Sequence, residues 1–368
     1  MKKCLKLIRR KEIYNGTEKT RIINFEVLRV LAMFFIVTQH YIYWGLKPSE
    51  LYHYMPMENS IDIFNYVSME ALYLISVTGV DCFVLITGFF LIDRLTFRWK
   101  GMMNIWLQTA IYGTIVSMLV NDGLCGVNNL FPVSQRRYWF ITIYMGLITI
   151  APFLSLIAKN LRKKQYELLL VILCVMTFEY PFGRHYAGDH SLGLFVFLYL
   201  FSGYVRFHGL PYWLKLHCGK LAIGLWLSLT LGVVMINNLL INYRNVVGYQ
   251  LMADKNNSLI MFLAILVFLW FSKKHLDNRF TRLLTKLSPY TLAVYLIHQG
   301  MLNNGKTWIF NIQENYSVPI LLHCMFVCCL IFAICVSIDI CRDRIFQTIK
   351  VGKIFDVIAS RLPKGLRS

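Results

Sequence analysis

Charge is scarce in this chain, and acidic charge scarcer still. Only 15% of the 368 residues are charged, against about 25% in ordinary soluble domains. Asp and Glu number 19 against 38 Lys and Arg. The first residues, "MKKCLKLIRRKEIYNGTEKTR", are basic and lack the apolar core that a cleavable signal needs. No Walker phosphate loop is present, which argues against direct use of a nucleoside triphosphate. No G-x-S-x-G elbow is present, which leaves a serine-hydrolase scheme without support. No repeat, low-complexity linker or separate soluble domain is visible, so any chemistry must come from the apolar segments and the short loops between them.

Apolar residues make up 57% of the chain. That is more than a soluble core requires, and it indicates a multi-span membrane protein. Ten apolar segments are read at roughly 25–45, 70–92, 101–120, 139–158, 166–181, 191–206, 220–241, 257–272, 288–302 and 317–340. The segments near 16 residues are short for a full span and need neighbours or a thin bilayer. The tails and loops on one side hold 30 Lys and Arg, those on the other side hold 7, and Arg29 lies inside the first segment. This asymmetry predicts that both termini are cytoplasmic. The net charge of +19 is thereby a topology signal and an attraction to the lipid surface, with no need for nucleic acid. The expected fold is an all-α polytopic bundle of about ten transmembrane helices. Residues 25–340 form its membrane domain, between a basic cytoplasmic tail at 1–24 and another at 341–368.

Of the 10 Cys, only Cys125 falls in an outer loop, so no disulfide framework is expected. The run "HCMFVCC" (His323 to Cys329) fits no common zinc spacing, and no metal is expected. Cys324, Cys328 and Cys335 recur at helical spacing, which suits small residues at a helix–helix contact.

Ionisable groups inside a bilayer are costly and mark functional candidates. In "EVLRVLAMFFIVTQHYIYWG", Arg29 and His40 are eleven residues apart. That separation is three helical turns plus roughly 20°, so both point the same way, about 16 Å apart along the axis. Glu26 lies one turn before Arg29 on nearly the same face. Two readings are open: a functional line of acid, base and imidazole, or a rim ion pair plus a His bonded to a neighbouring helix. Asp81, in "SVTGVDCFVLITGFFLIDR", shares a face with Gly88 and needs a partner, with His40 and Arg29 as candidates. A structural ion pair orienting helices is the alternative. His298, in "SPYTLAVYLIHQG", lies at a depth like that of His40, with Tyr295 one turn earlier and Ser288-Pro289 as a helix start. A satisfied core His is the alternative there. Imidazole suits general-base work on a hydroxyl because its ordinary pKa is near neutral.

These residues resemble the acyltransferase 3 family of integral membrane acyltransferases over nearly the whole chain. The resemblance rests on Glu26, Arg29 and His40 in "NFEVLRVLAMFFIVTQH", and on "GVDCFVLITGF" (Gly79 to Phe89). It continues through "YWFITIYMGLITIAPFLS" (Tyr138 to Ser155), "FVFLYLFSGYVR" and "YTLAVYLIHQ". It implies about ten spans with cytoplasmic termini, and transfer of an acyl group, commonly acetyl from acetyl coenzyme A, onto hydroxyls of cell-surface glycans. It further implies that His40 is catalytic, that Arg29 assists, and that Arg residues after the second span contact the donor. That stretch reads "DRLTFRWK", with Arg94, Arg98 and Lys100. Its Arg-x-x-x-Arg spacing departs from the family's Arg-x-x-Arg followed by Pro. Many relatives carry an extracellular esterase-like domain. None is expected here, so transfer would go straight to an acceptor.

The sequence reading is therefore a multi-pass O-acyltransferase of the bacterial cytoplasmic membrane. The expected donor is acetyl coenzyme A or another acyl coenzyme A, and the expected acceptor a surface polysaccharide or lipid-linked glycan. His40 would be the base, and Glu26, Arg29 and Asp81 would set its charge state or stabilise developing negative charge. Arg94, Arg98 and Lys100 would bind the donor. Arg137 and Trp139 would hold the sugar, with Tyr295 and His298 at the same site, and "FGRHYAGDH" (Phe182 to His190) is a candidate lining of the acceptor entry. The rival is an exporter or flippase of glycans, in which the same polar groups line a pathway without covalent chemistry. The two differ in whether an acyl donor is consumed.

Overall fold

The computed structural model describes residues 23–46, 60–120, 138–177, 192–240, 257–274, 276–310 and 319–360. Thirteen α-helices, and no strand, occur among them. In chain order they are α1 (Ile23–His40), α2 (Ser60–Val77), α3 (Gly79–Leu91), α4 (Trp99–Val120), α5 (Trp139–Asn160), α6 (Lys163–Thr177), α7 (Leu192–His208), α8 (Tyr212–Leu240), α9 (Ser258–Phe271), α10 (Arg279–Leu287), α11 (Thr291–Asn303), α12 (Ile320–Ile349) and α13 (Val351–Ser360). Over their described residues the ten apolar segments are largely helical. Six of the helical stretches are long and apolar enough to cross a membrane. One of them, Ser60–Leu91, combines α2 and α3.

The stretch between the first two apolar segments, which the alternation of spans would make an outer loop, is thus partly helix from Ser60 onward. The break between α2 and α3 falls at Thr78, whose hydroxyl donates to the Ile75 carbonyl at 2.6 Å. Such back-bonding bends helices. Gly79 follows at once, and a Cβ there would lie 2.6 Å from the Ala32 carbonyl oxygen, so the bend is also where α1 presses closest on α3.

The interior is arranged around α3. Gly88 meets α7, where an added Cβ would fall 2.2 Å from the Ser202 hydroxyl and 2.5 Å from the Tyr199 carbonyl oxygen. Phe89 packs against Phe25 of α1 at 4.8 Å between centroids and against Phe268 of α9 at 6.0 Å. Helix α9, "SLIMFLAILVFLWF", is apolar all round, as expected of a helix enclosed by others. Its 14 residues are tolerated because neighbours rather than lipid cover it. By contrast α6, α8 and α12 expose apolar stripes at helical spacing: Leu168, Ile172, Val175 on α6, Leu227, Leu231, Met235 on α8, and Phe326, Leu330, Ile334 on α12. Exposed stripes on this scale mark a surface that meets hydrocarbon.

The basic helix ends gather at one rim. Arg206 at the end of α7 bonds Asp93 at 2.6 Å, and Lys159 at the end of α5 donates to the Asp93 carbonyl at 2.6 Å. Asn24 at the start of α1 reaches the Phe271 carbonyl at 2.7 Å. This is the rim that the charge asymmetry assigns to the cytoplasm.

The tight α3–α7 contact generates a test. Gly88→Ala should destabilise by about 1–3 kcal/mol through overpacking. Gly224→Ala, on α8 with open space around it, should not. Thermal unfolding of both variants in detergent measures the difference, and equal melting would contradict the close contact.

Candidate active site

Helix α1 carries Glu26, Arg29 and His40, and the 288–303 segment meets it at both ends. At the rim, Arg29 donates to Glu26 at 2.7 Å and to the Ser288 hydroxyl at 3.3 Å. The Ser288 hydroxyl in turn donates to Glu26. Ser288 was expected to cap the ninth span. Instead Ser288–Tyr290 forms a 3-10 turn ahead of α11, and the Ser288 side chain serves Glu26, 262 residues away. The short 3-10 turn suits a Pro at its second residue, which has no N–H to offer.

Far from the rim, His40 Nδ1 lies 2.8 Å from His298 Nε2, and both side chains are buried. His298 Nδ1 is bonded to the Val294 carbonyl one turn earlier. A carbonyl only accepts, so His298 Nδ1 carries the proton and its Nε2 is an acceptor when the ring is neutral. His40 Nδ1 must then donate to it, which leaves Nε2 of neutral His40 as the basic nitrogen. The pair fixes one tautomer of His40, as a carbonyl or carboxylate does for other working histidines. Directly after His40 the chain widens into a π-helical turn, Tyr41–Leu46. Such turns concentrate at functional sites, and no residue pattern announced this one. Tyr41 hydroxyl meets His323 Nδ1 at 2.7 Å, extending the polar seam to α12.

Between the two ends lies a cavity of about 420 Å³. Its mouth holds Arg29, Arg94 and Arg98, its wall includes Thr87, Tyr144 and Pro152, and Phe140 and Tyr295 lie toward the histidines. Pro152, inside α5, lacks the N–H of a regular turn and so loosens the helix beside the cavity. Thr87 and Tyr144 hydroxyls are 3.1 Å apart. Arg98 is open to the cavity, yet the protein packed around it and the Arg94 guanidinium hold its pKa below the ordinary arginine range, with Arg29 adding to the effect. Three guanidinium groups around one cavity, of which Arg29 is also paired with Glu26, suit a multiply charged anion. Tyr295 stands between cavity and histidines, its ring edge-on to His298 at 6.3 Å and to Phe140 at 5.6 Å.

The expected site residues therefore divide. Glu26 and Arg29 come together, and Arg29 joins Arg94 and Arg98. It does not join His40, which lies about 16 Å farther along α1. His40 and His298 come together, with Tyr295 beside them on the cavity side. Trp139 begins α5 next to Tyr138, whose hydroxyl donates to the Leu296 carbonyl at 3.1 Å, so the start of α5 sits at the level of His298. Lys100 is drawn to Asp356 of α13 and away from the arginines. Asp81 shares the face of Gly88, which packs on α7, whereas Gly79, roughly 200° around the helix, is the residue that meets α1. Arg137, Cys125 and the run Phe182 to His190 lie outside the described residues. Cys324 and Cys328 Sγ atoms are 4.0 Å apart within α12, and no cluster of three or more potential metal ligands occurs among the described residues.

The profile of the acyltransferase 3 family, described as an acyltransferase domain, matches residues 22–342. The chain belongs to that family. It is a multi-pass membrane acyltransferase, and every residue of the cavity and the histidine pair falls inside the matched range. No curated protein and no solved structure matches the chain.

The rim cluster is open to a stability test. Arg29→Ala leaves the partly buried Glu26 carboxylate with the Ser288 hydroxyl alone, and should cost about 1–3 kcal/mol. The Glu26→Ala/Arg29→Ala double variant should lose less than the sum of the single variants. Thermal unfolding of all three measures the coupling, and strict additivity would count against it.

Proposed function

We propose that this acyltransferase takes acetyl from acetyl coenzyme A and transfers it to a hydroxyl of a surface polysaccharide or lipid-linked glycan. The supporting observation is a cavity lined by three arginines at the rim and by Tyr295, whose ring stands beside the His40–His298 pair. Arg29 and His40 are separated by about 16 Å along α1. The pantetheine arm of coenzyme A, from pyrophosphate oxygen to sulfur, equals about four residue-lengths of extended chain, roughly 14 Å. A donor with its pyrophosphate on Arg29, Arg94 and Arg98 would thus bring its thioester to the level of His40. Guanidinium forks suit the pyrophosphate because they bind its oxygens two at a time.

In this mechanism His40 Nε2 takes the proton of the acceptor hydroxyl as the oxygen attacks the thioester carbonyl. The C–S bond breaks, and the His40 imidazolium returns the proton to the departing thiolate. The products are the ester and free coenzyme A. His298, neutral and anchored to the Val294 carbonyl, accepts from His40 Nδ1–H throughout, which steadies the imidazolium. Arg29 and Glu26 belong to the donor end. Asp81, on the face toward α7, is left out of the proton path. Trp139, at the level of His298, and Arg137 are assigned to the sugar. We assign the protein to the bacterial cytoplasmic membrane with the basic rim inside, because a coenzyme A donor does not cross a bilayer.

Membranes supplied with radiolabelled acetyl coenzyme A and a glycan extract should gain label in base-labile esters, and His40→Ala should abolish it while the protein remains inserted. Label in the His40→Ala membranes would remove the histidine from the mechanism. His298→Gln should lower kcat by about ten- to a hundredfold with little change in donor KM, as expected for support of a general base. Arg94→Ala and Arg98→Ala should each raise donor KM by about tenfold and leave kcat nearly unchanged. An equal fall in kcat for all four variants would contradict this division of roles.

A further inference from the structure

A second, more open cavity of about 730 Å³ lies at the same rim, between α4, α12 and α13. It adjoins the first: Asn104 and Pro289 line both. Its basic groups are Arg342, Lys350 and Lys353. Its acids are Asp343 and Asp356, and each is engaged: Asp356 by Lys100, and Asp343 by the Gln347 amide at 2.9 Å. Three cations against two carboxylates leave the lining one positive charge in excess, and among the described residues Arg342 is paired with Asp339 while Lys350 and Lys353 are the cations not paired.

Its wall is built and held. Arg342 Nε bonds Asp339 at 2.5 Å, Asp339 is fully buried and also accepts from the Tyr112 hydroxyl at 2.6 Å, and the Arg342 guanidinium stacks over Phe346 at 4.7 Å. Lys350 ends α12 in the left-handed conformation, φ 59°. That turn folds α13 back toward α4, where Lys100 meets Asp356. Tyr290, Phe346 and Phe355 supply aromatic faces, and Asn104 and Gln108 supply amides. Aromatic faces with amides and cations beside them suit a purine nucleotide, since every base has a π face to stack. Helix α13 lies beyond the residues matched by the family profile.

We infer that this groove binds the 3′-phosphoadenosine end of the donor, with Lys350 and Lys353 on the 3′-phosphate, Arg342 beside them, and the base between the aromatic side chains. The inference rests on the coenzyme A reading of the first cavity. It adds a second anion subsite: the pyrophosphate sits on the three arginines, and the 3′-phosphate sits across Asn104 and Pro289 in the groove. A phosphate could also come from an anionic lipid headgroup at this rim, so the test has an arm for each source.

Coenzyme A and dephospho-coenzyme A, which differ only in the 3′-phosphate, would be titrated onto the full chain in nanodiscs of zwitterionic lipid. The native chain should bind coenzyme A about tenfold or more tighter. The Lys350→Asn/Lys353→Ala variant should lose that preference while keeping its affinity for dephospho-coenzyme A, which also shows that it is folded. Asn is chosen because it tolerates the left-handed conformation. Equal binding of both ligands by the native chain, or an undiminished preference in the variant, would overturn the inference and leave the coenzyme A reading standing. Failure of either ligand to bind would overturn both. Loss of the preference in nanodiscs of anionic lipid would assign the groove to headgroups and overturn the nucleotide reading.

Discussion

A polar side chain that enters the hydrocarbon layer has no water to bond, so its partner must come from the protein, from its own helix or from another. That constraint organises this protein. Glu26 finds Ser288, His40 finds His298, Tyr41 finds His323, and Tyr112 finds Asp339. Each pair joins segments more than two hundred residues apart. Two of them tie α1 to the 288–303 segment, one at the rim and one far from it. Two points fix the depth and rotation of these helices against each other. The orientation of the His40 ring follows from that register.

Small residues make the other half of the arrangement possible. Gly79 and Gly88 let α1 and α7 come within van der Waals reach of the α3 backbone. With α3 and α9 enclosed, the apolar stripes of α6, α8 and α12 remain for lipid. The cavity lies beside Pro152 of α5 and is lined by Arg29, Arg94 and Arg98, with Arg94 and Arg29 both acting on Arg98.

The tautomer of His40 is set through a chain of two bonds that starts at the Val294 carbonyl. Its requirement for a donor passes through His298 to His40 and leaves the basic nitrogen on the far side. A carboxylate in that position would raise the basicity of the pair and require its own desolvation. A second imidazole holds the first at lower cost in a membrane interior.

Much was legible in the sequence. Charge asymmetry and apolar runs gave the class and the helical segments, because lipid exposure acts on each segment alone. The eleven-residue spacing placed Arg29 and His40 on one face, because helical periodicity is local. The shared depth of His40 and His298 was visible for the same reason. What the sequence left open was which polar groups meet. His40 and Arg29 were both candidates for Asp81 by residue type; the structure pairs His40 with His298 and Arg29 with Glu26. Ser288 looked like a cap, Lys100 like a third phosphate contact, and Arg29 like an assistant to His40. Their neighbours come from distant segments: Glu26, Asp356 of α13, and Arg94 with Arg98. Rotation and depth of packed helices decide such contacts, and these depend on the interdigitation of side chains across the whole bundle. The composition of the bilayer face was written in each helix, whereas the partners of its buried polar atoms existed only once the helices were together.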